Sequence, residues 1–506
     1  MGLFSKLFVF SFFVINMALH AAESPPYTPL PEDMNRSWIA DGRLTEDAYS
    51  LLTAIRADSS ILCSKERYSL ERIDELLQKS SLSENIEIGL NTLLNRAFSL
   101  YVSDRRKGCL DPHRIYAGQI HIDERVKRAV AEGESVLLRR LEDALRRYER
   151  VEADGGWKSV PHISGLLKRG ESSSVVRSIR ERLFQSGDLN DSDFSNTLFD
   201  GSVEEAVKLF QRRHSLKSDG IVGPKTLAAM NTPIGQKISL IKLNIERLRW
   251  LTGGSEDFIV ANIPEFTLTL YRGDSPSLEM KTVVGRKERP TPMISDLISY
   301  AVLNPYWRAP ETIVREDILP KLKAGRFDYL EKIGITVGRG VDGNDSVEMR
   351  GIDWSRYDGG DIPFIFIQKP GPRNYLGFVK FMFPNDLDIY IHDTPESRIF
   401  KYEERTMSSG CIRVQKPVEL FHALFADEES GRWSYKEIVK EIMRNRERKV
   451  GLAKPMPVYI LYMTAYADEM GRVRFLPDIY GYDRMMRSYI DNFTGAPEHA
   501  KTAFFK

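Results

Sequence analysis

The chain has 506 residues, and this length favours two to four domains. Hydrophobic residues make up 42% of it and charged residues 28%, which is the composition of an ordinary soluble protein. The 72 lysine and arginine residues against 71 aspartate and glutamate residues give a formal net charge of +1. The overall charge therefore offers no electrostatic reason to bind nucleic acid, or to be drawn to a membrane surface by a polybasic segment.

The N-terminus predicts an export signal. Lys6 supplies positive charge, and residues 7–19 form an apolar run that is too short to cross a bilayer as a helix. Two alanines follow, so we expect a signal peptide over residues 1–22. The position three residues before the cleavage point would be a leucine or a histidine instead of a small residue, so retention as an uncleaved anchor stays open.

Cysteine is scarce in this chain, which contains only Cys63, Cys109 and Cys411. Three cysteines in an exported protein leave an odd one after pairing. Cys63 and Cys109 both lie in the N-terminal third and can pair in an oxidising compartment, which would leave Cys411 as a free thiol. Three unpaired cysteines also fit the sequence.

Residues 35–160 are predicted to form a helical domain. Apolar residues recur there at helical spacing between arginines and glutamates, which predicts a helix with one buried stripe, and a Gly-rich turn at 154–156 ends it. The stripe consists of Val136, Leu137, Leu141, Leu145 and Tyr148. We find no chemistry in this part and expect a packing or scaffold domain.

Residues 161–233 are predicted to form a small three-helix bundle, whose turns are fixed by glycine and capped by Asp, Ser and Thr. The pattern AVKLFQRRHSLKSDGIVGPKTLAAMN, at 206–231, resembles the peptidoglycan-binding-like domain of cell-wall enzymes. Such a module either binds glycan or only packs against its neighbours, and the sequence leaves both open. His214 has no metal-ligand spacing around it, so we expect an ordinary polar surface residue.

From residue 256 to residue 466 the pattern changes to strands and predicts a mainly β catalytic domain, which makes the whole chain a multidomain α+β protein. Residues 311–367 interrupt the strands with a helical stretch and two Gly- and Asp-rich runs. This insertion is expected to be a lid over an active site, or else a surface decoration. Residues 467–506 are expected to form a C-terminal extension that packs on the body.

Cys411 and His392 are the strongest candidates for catalysis. A thiolate is a nucleophile, and a nearby imidazole is a common means of making one at neutral pH. Cys411 follows Gly410 in a turn that leaves its sulfur accessible, and His392 ends a strand on the same face as Tyr390. Each residue alone has a plainer interpretation, a small buried hydrophobe and a loop-capping histidine, but together they favour a Cys–His pair.

Neighbouring residues complete the predicted site. Ser409 and Gly410 let the chain turn so that backbone N–H groups, with that of Cys411, form an oxyanion hole. Asp393 is expected to hold the imidazole in the tautomer that leaves one nitrogen free, through its side chain or through the backbone carbonyl at this turn. Arg413 either binds a substrate carboxylate or braces the loop, and Tyr390 is likewise expected to bind substrate or to brace the loop.

The region from Tyr390 to Val414 resembles the catalytic signature of the L,D-transpeptidases of the YkuD-type fold, which is a histidine, a spacer and a Ser-x-Gly-Cys-x-Arg block. Residue 409 is serine where many members have a second histidine, and the large periplasmic members with a helical scaffold often have serine there. Further stretches resemble that subgroup, among them GGWKSVP, NIERLRWL, NIPEFTLTLY, GRKERPTP, NPYWRAPETI, QKPGPRNYLGFVKFMFPN and LPDIYGYD.

The resemblance implies a periplasmic enzyme that joins peptidoglycan stem peptides by 3→3 cross-links. Cys411 would be the acylated nucleophile and His392 the general base, and neither a metal nor an organic cofactor would be required. The expected partners are stem peptides and other cell-wall synthases, without nucleic acid, and a membrane would be contacted only through an uncleaved signal.

Four alternatives remain at this point. Water as the acceptor would make the protein an L,D-carboxypeptidase, and a protein lysine would make it a protein-to-peptidoglycan transferase. The chain could also be a non-catalytic wall-binding scaffold, although a degenerate site would be expected to have lost His392, Gly410, Cys411 or Arg413. A generic cysteine protease is disfavoured, because a histidine before the cysteine on strands does not resemble the papain-type placement.

Overall fold

The computed structural model describes residues 37–79, 83–129, 135–339, 345–357, 361–426 and 433–493. The predicted signal peptide and the end of the predicted C-terminal extension, residues 494–506, lie outside these ranges. In the part that is described, no helix is both long and apolar enough to span a bilayer. The chain divides into two units, one that contains residues up to 57 together with 65–101, and one that contains residues 58–64 together with those from 102 onwards.

The first unit combines a short hairpin with helices. Its strands are β1, Ile39–Ala40, and β2, Arg43–Leu44, and the two residues between them, Asp41 and Gly42, both have positive φ, as tight hairpin turns require. Trp38 is fully buried before the hairpin, and its indole N–H donates to the side-chain oxygen of Asn95 at 2.8 Å. The helices of this part are Glu46–Ala57, Leu70–Leu77 and, as far as residue 101, Glu84–Lys107.

The second unit contains the predicted three-helix bundle as a separate buried core. Asp200 caps one of its helices by accepting the Val203 N–H at 3.0 Å, and Pro224 opens another at a position where no N–H is needed. The three helices are Val175–Gln185, Gly201–Arg213 and Pro224–Met230. The other α-helices of the second unit are Pro112–Ile115, Glu124–Ala129, Val136–Ala153, Ile234–Leu251, Glu311–Ile313, Leu319–Lys323, Phe327–Ile333, Pro417–Phe425, Tyr435–Met443 and Tyr482–Phe493.

His214 corrects one expectation about the bundle, because it is not an ordinary polar surface residue. Its ring stacks on Phe210 with centroids 3.9 Å apart and faces Phe475 at 5.4 Å. Nδ1 donates to the Phe210 carbonyl oxygen at 2.8 Å, one helical turn earlier in the chain. The sequence-based expectation was wrong because Phe475 lies 261 positions further along the chain, so no local sequence pattern indicates its contact with His214.

The strands of the second unit form three sheets. They are β3 Ile120–Ile122, β4 Asp257–Asn262, β5 Thr267–Arg272, β6 Ser275–Gly285, β7 Met293–Leu303, β8 Trp307–Arg308, β9 Ile335–Arg339, β10 Asp345–Val347, β11 Ile365–Gln368, β12 Val379–Met382, β13 Ile391–His392, β14 Thr406–Ser408, β15 Ile412–Val414, β16 Arg448–Leu461, β17 Ala465–Ala467 and β18 Val473–Phe475. The pair β17–β18 forms a small hairpin sheet. This strand content confirms the expected α+β class with a mainly β catalytic region.

The large sheet runs in the order β12-β13-β15-β6-β5-β4-β16-β7-β3, with β14 beside β6. β12 also pairs with β7, so the sheet closes on itself and its buried face forms a single core. β3 precedes the predicted catalytic domain by more than a hundred residues, yet it pairs in parallel with β7. The segment before residue 256 therefore contributes a strand to the sheet that contains the candidate site.

The insertion predicted at 311–367 has a hydrophobic core of its own. The strands β10-β9-β11-β8 form a separate sheet, and the core extends from Trp307 to Leu376, beyond the predicted bounds. A π-helix at Val314–Ile318 joins two short α-helices, Glu311–Ile313 and Leu319–Lys323. Tyr390, which belongs to the candidate site, packs against this core, so the insertion lies beside the site.

A buried helix and a disulfide hold distant parts of the second unit together. Ile234–Leu251 is buried along nearly its whole length, and its Arg247 donates to the Asp483 carboxylate at 2.6 Å, so the described part of the C-terminal extension packs on the body. Cys63 and Cys109 form a disulfide, which leaves Cys411 as the free cysteine.

Candidate functional site

Strand pairing brings the predicted site residues to one face of the large sheet. β13 and β15 are parallel, with Ile391 opposite Ile412 and His392 opposite Arg413. Both isoleucines are fully buried in the core. Side chains alternate along a strand, so the residues on either side of each isoleucine lie on the opposite face of the sheet. Those residues are Tyr390, His392, Cys411 and Arg413.

The backbone holds the His392 ring in one tautomer. Nδ1 lies 2.5 Å from the Asp393 carbonyl oxygen, and since a carbonyl can only accept, Nδ1 carries the proton and Nε2 keeps its lone pair. The Asp393 carboxylate instead accepts the backbone N–H groups of Phe378, at 2.8 Å, and of Thr394, at 2.6 Å. Of the two ways expected for Asp393 to orient the imidazole, the structure therefore has the backbone carbonyl.

The electrostatic surroundings keep His392 neutral. Burial, and after it the nearby positive charges of Arg413 and Lys380, lower its pKa to about 3, against the opposing effect of the Asp393 carbonyl. At neutral pH the ring is thus an uncharged imidazole with a basic nitrogen available. Tyr390 packs edge-on against it with ring centroids 5.5 Å apart.

Cys411 is partly exposed, and its sulfur lies 3.7 Å from the Asp388 carbonyl oxygen. Dense surroundings raise the thiol pKa above its ordinary value, while hydrogen bonding by Tyr390 and the charge of Lys380 lower it in part. No hydrogen bond joins this sulfur to the His392 ring within the described residues. At neutral pH the two side chains are therefore a thiol and a neutral imidazole.

Hydrogen bonds fix the turn that carries Cys411. Gly410 has φ +114°, a conformation that side chains rarely adopt, and an added Cβ would lie 3.2 Å from the Ile389 side chain. Its carbonyl accepts the Thr291 hydroxyl at 2.7 Å, and its N–H donates to the Ser408 hydroxyl oxygen at 3.2 Å. The N–H of Gly410 is thus already engaged, whereas that of Cys411 donates to no acceptor among the described residues.

Ser409 connects the turn to the insertion. Its hydroxyl accepts from Arg289 at 3.1 Å, and the same guanidinium donates to Asp317 at 2.7 Å and pairs with Glu316. Asp317 and Glu316 belong to the π-helix of the insertion. A displacement of the insertion would therefore reach the turn that carries Cys411 through one partly buried arginine.

Arg413 is mostly buried, and its strongest described ion pair is a loose one, 3.9 Å to the exposed Glu396 carboxylate. Its Nε is buried without a hydrogen-bond partner in the described structure. A guanidinium that braced the turn would donate to backbone carbonyls, as Arg405 does to Thr282 at 2.9 Å. The contacts of Arg413 therefore favour the first of its two expected roles, which is binding an anionic group.

Lys380 belongs to the candidate site, although the sequence analysis did not predict it. It pairs with His392 across β12 and β13, and its ammonium lies 3.8 Å from the centre of the Tyr390 ring. A groove of about 680 Å³ runs beside it, lined also by Asp388 and Tyr390. The signal that identifies Lys380 is the strand register, which a single sequence does not contain.

Three family models match the chain. Residues 256–426 match the YkuD model, described as an L,D-transpeptidase catalytic domain. Residues 172–230 match a "Putative peptidoglycan binding domain", and residues 32–153 match a scaffold domain. The candidate nucleophile, base and arginine all lie within the first of these matches.

Individual proteins are also similar to this chain. A protein of Haemophilus influenzae described as "Putative L,D-transpeptidase" is 34% identical over 254 residues, which is 50% of this chain and 49% of that protein. The match thus spans about half the length of each. Solved L,D-transpeptidase structures from Mycobacterium smegmatis and Xylanimonas cellulosilytica are each 13% identical and cover 42% and 60% of this chain, and 60% and 100% of their own chains. Their TM-scores are 0.19 and 0.18, too low to support an argument.

Proposed function

Because the chain contains a YkuD-type L,D-transpeptidase catalytic domain and a peptidoglycan-binding domain, we propose that it forms 3→3 cross-links between peptidoglycan stems through a thioester on Cys411. One observation carries the assignment of residues. The parallel register of β13 and β15 brings the only free cysteine of the sequence and a histidine with an available Nε2 to the same face of the sheet.

The first step is an acyl transfer to sulfur. Substrate binding brings the Cys411 thiol within reach of His392, whose Nε2 takes the thiol proton as the sulfur attacks the carbonyl between the third and fourth stem residues. The carbon–nitrogen bond breaks, the imidazolium gives its proton to the leaving D-alanine amine, and a thioester remains. Neither oxidation nor reduction occurs, so no redox partner is needed.

The second step restores the enzyme. The side-chain amine of a diaminopimelate residue on a second stem attacks the thioester carbon and loses its proton to His392. The sulfur–carbon bond breaks, and the Cys411 thiol is regenerated with a proton from the imidazolium. The product is an amide between the third residues of two stems. Water in place of the amine would give the L,D-carboxypeptidase, and a protein lysine would give the protein-to-peptidoglycan transferase.

Backbone and cationic groups support the proposed transition state. The unengaged N–H of Cys411 is the donor we assign to the developing oxyanion, while Ser409 and Gly410 shape the turn that presents it. The unpartnered Nε of Arg413 suits a substrate carboxylate. Of the two interpretations of the insertion, its contact with Tyr390 and the Arg289 link favour the lid.

We place this reaction in the periplasm, since peptidoglycan lies outside the cytoplasm and the N-terminal apolar run resembles a secretory signal. A disulfide between Cys63 and Cys109 is consistent with an oxidising compartment. Peptidoglycan stems are the partners that follow directly from this proposal, and contact with other cell-wall synthases is a further part of it.

The test is mass spectrometry of the intact, signal-free protein after incubation with a purified disaccharide-tetrapeptide, with the muropeptide products analysed in parallel. A covalent adduct on Cys411 together with 3→3 dimers is the expected result. Adduct with only released tripeptide would replace the cross-linking assignment by the carboxypeptidase or by transfer to a protein. A folded protein that forms no adduct, either with this substrate or with a carbapenem-type β-lactam, would favour the non-catalytic wall-binding scaffold.

A further inference from the structure

A second cluster of chemically active side chains lies where β3 joins the large sheet. β3 pairs in parallel with β7, with His121 opposite Ile294, and the Asp123 N–H donates to the Ser295 carbonyl at 2.9 Å. Asp296 is the next residue of β7 and is fully buried. The pairing thus brings one imidazole and two carboxylates together from segments more than 170 residues apart in the chain.

The ligand-type atoms of these three side chains lie within 4.8 Å of one another. His121 Nε2 and Asp296 Oδ2 are 3.6 Å apart, too far for a hydrogen bond. Both atoms are buried, and neither has a hydrogen-bond partner among the described residues. For tetrahedral ligands about 2.0–2.1 Å from a zinc ion, the distance between two ligand atoms is about 3.4 Å, close to the separation seen here.

The neighbouring groups orient the cluster and leave its centre open. Asp296 Oδ1 accepts the Leu297 N–H at 2.6 Å, so only Oδ2 faces His121. Arg125 donates to the Asp123 carboxylate through Nε at 2.7 Å and lies 3.7 Å from Asp296 Oδ1. Carboxylates that bind metals are commonly held by such outer hydrogen bonds. Among the described residues, only the Arg125 guanidinium is seen beside the two carboxylates, so a bound cation would supply the positive charge that ionising both of them in this buried place requires.

We propose that His121, Asp123 and Asp296 form a binding site for a divalent transition-metal cation. One imidazole nitrogen with two carboxylate oxygens suits zinc-like ions better than calcium or magnesium, which prefer oxygen ligands alone. His121 and Asp123 also line the 680 Å³ groove that passes Lys380 and Tyr390, so a fourth coordination position would open towards the groove. The ion would hold β3 against β7 beside the candidate site. This proposal departs from the sequence-based expectation that the protein requires no metal.

Isothermal titration of the signal-free full chain with Zn²⁺ tests this proposal, with Mg²⁺ as the comparison ion. The titrations use Cys411→Ala as the background, because a free thiol also binds zinc. We expect one Zn²⁺ per chain, a higher thermal midpoint with Zn²⁺ and no comparable effect of Mg²⁺. Asp296→Asn and His121→Ala should each weaken Zn²⁺ binding at least about tenfold, while His113→Ala, which removes an exposed imidazole from the same segment, should not.

Two results would overturn the proposal. One is the absence of Zn²⁺ binding in the Cys411→Ala background, and the other is binding that Asp296→Asn and His121→Ala leave unchanged. Circular dichroism of each variant separates loss of a ligand from loss of the fold. The readout is independent of the proposed reaction, since acyl-enzyme formation is measured separately on the chain with Cys411 intact.

Discussion

Two histidines of this protein, His392 and His214, share the same backbone contact and differ in what surrounds the other ring nitrogen. In both, Nδ1 donates to a carbonyl oxygen, of Asp393 at 2.5 Å and of Phe210 at 2.8 Å. In both, burial lowers the pKa and nearby positive charge adds to the effect. Each ring is thus neutral and fixed in orientation.

The difference lies in access and in neighbours. His392 shares a sheet face with the partly exposed Cys411, whereas His214 stacks between Phe210 and Phe475. A neutral, oriented imidazole is therefore a structural element in one place and a candidate base in the other. A low pKa and a fixed tautomer do not identify a catalytic histidine unless a group with a proton to give lies on the Nε2 side.

The largest effect is expected from Cys411→Ala, which removes the proposed nucleophile itself. Acyl-enzyme formation with the disaccharide-tetrapeptide should fall below detection, because no other free thiol is present in the sequence to replace it. The thermal midpoint should stay within a few degrees, since the side chain is small and partly exposed. Mass spectrometry measures adduct formation, and thermal denaturation measures the midpoint. An adduct on the Ala variant would place the nucleophile elsewhere.

The two histidine variants directly test the comparison. His392→Ala should slow acylation by about 100-fold or more, as expected for a lost general base. Because His392 is buried, this variant should lower the thermal midpoint as well. His214→Ala should leave acylation within about twofold and lower the thermal midpoint by a few degrees, because it removes a ring packed between two aromatic side chains. Single-turnover acylation and thermal denaturation of both variants are the measurements. The comparison fails if the two variants behave alike.

The sequence predicted those parts of the molecule that depend on local pattern. The alternation of apolar and polar residues over 266–271 corresponds to β5, Thr267–Arg272, and the proline at 417 opens the helix Pro417–Phe425, where a missing N–H costs nothing. Alternation along one strand was enough to predict that Tyr390 and His392 share a face. The motif around Cys411 supplied the candidate nucleophile, and residues 256–426 match the catalytic domain that it resembles.

Pairing between strands that are far apart in the chain could not be predicted from the sequence. β3 is a three-residue strand whose partner lies more than 170 residues further on, and Lys380 enters the site only because β12 is antiparallel to β13. Three residues carry too little periodicity to mark a strand. The engaged N–H of Gly410 and the packing of His214 likewise depend on contacts that form only after the chain has folded.

The pH dependence of Cys411 reactivity tests the resting state of the site. The thiol pKa is raised above its ordinary value and the pKa of His392 is about 3, so between pH 6 and 8 the pair is a thiol and a neutral imidazole. The thiolate fraction is then below that of a free cysteine and should rise about tenfold for each pH unit. Iodoacetamide alkylation followed by mass spectrometry should show this rise without a plateau near pH 6–7. A plateau there would indicate a thiolate–imidazolium pair instead.

The smallest effect is expected from Lys380→Met, which removes one positive charge near the thiol while keeping an apolar chain of similar length. The charge of Lys380 lowers the thiol pKa, so its loss should move the midpoint of alkylation to higher pH, by about half a pH unit for a charge screened by partial exposure. Lys449→Met is the matched control, because its ammonium also lies 3.8 Å from the centre of a tyrosine ring, that of Tyr300, but the residue is exposed.

Both substitutions remove a cation–π contact and one positive charge. A difference between the two shifts of the alkylation midpoint therefore reports the effect of having that charge close to Cys411. A midpoint that rises only in Lys380→Met would place this lysine in the electrostatics of the site, together with His392 and Tyr390. Equal shifts would mean that the thiol responds to the net charge of the sheet face, and Lys380 would then have no particular role in activating Cys411.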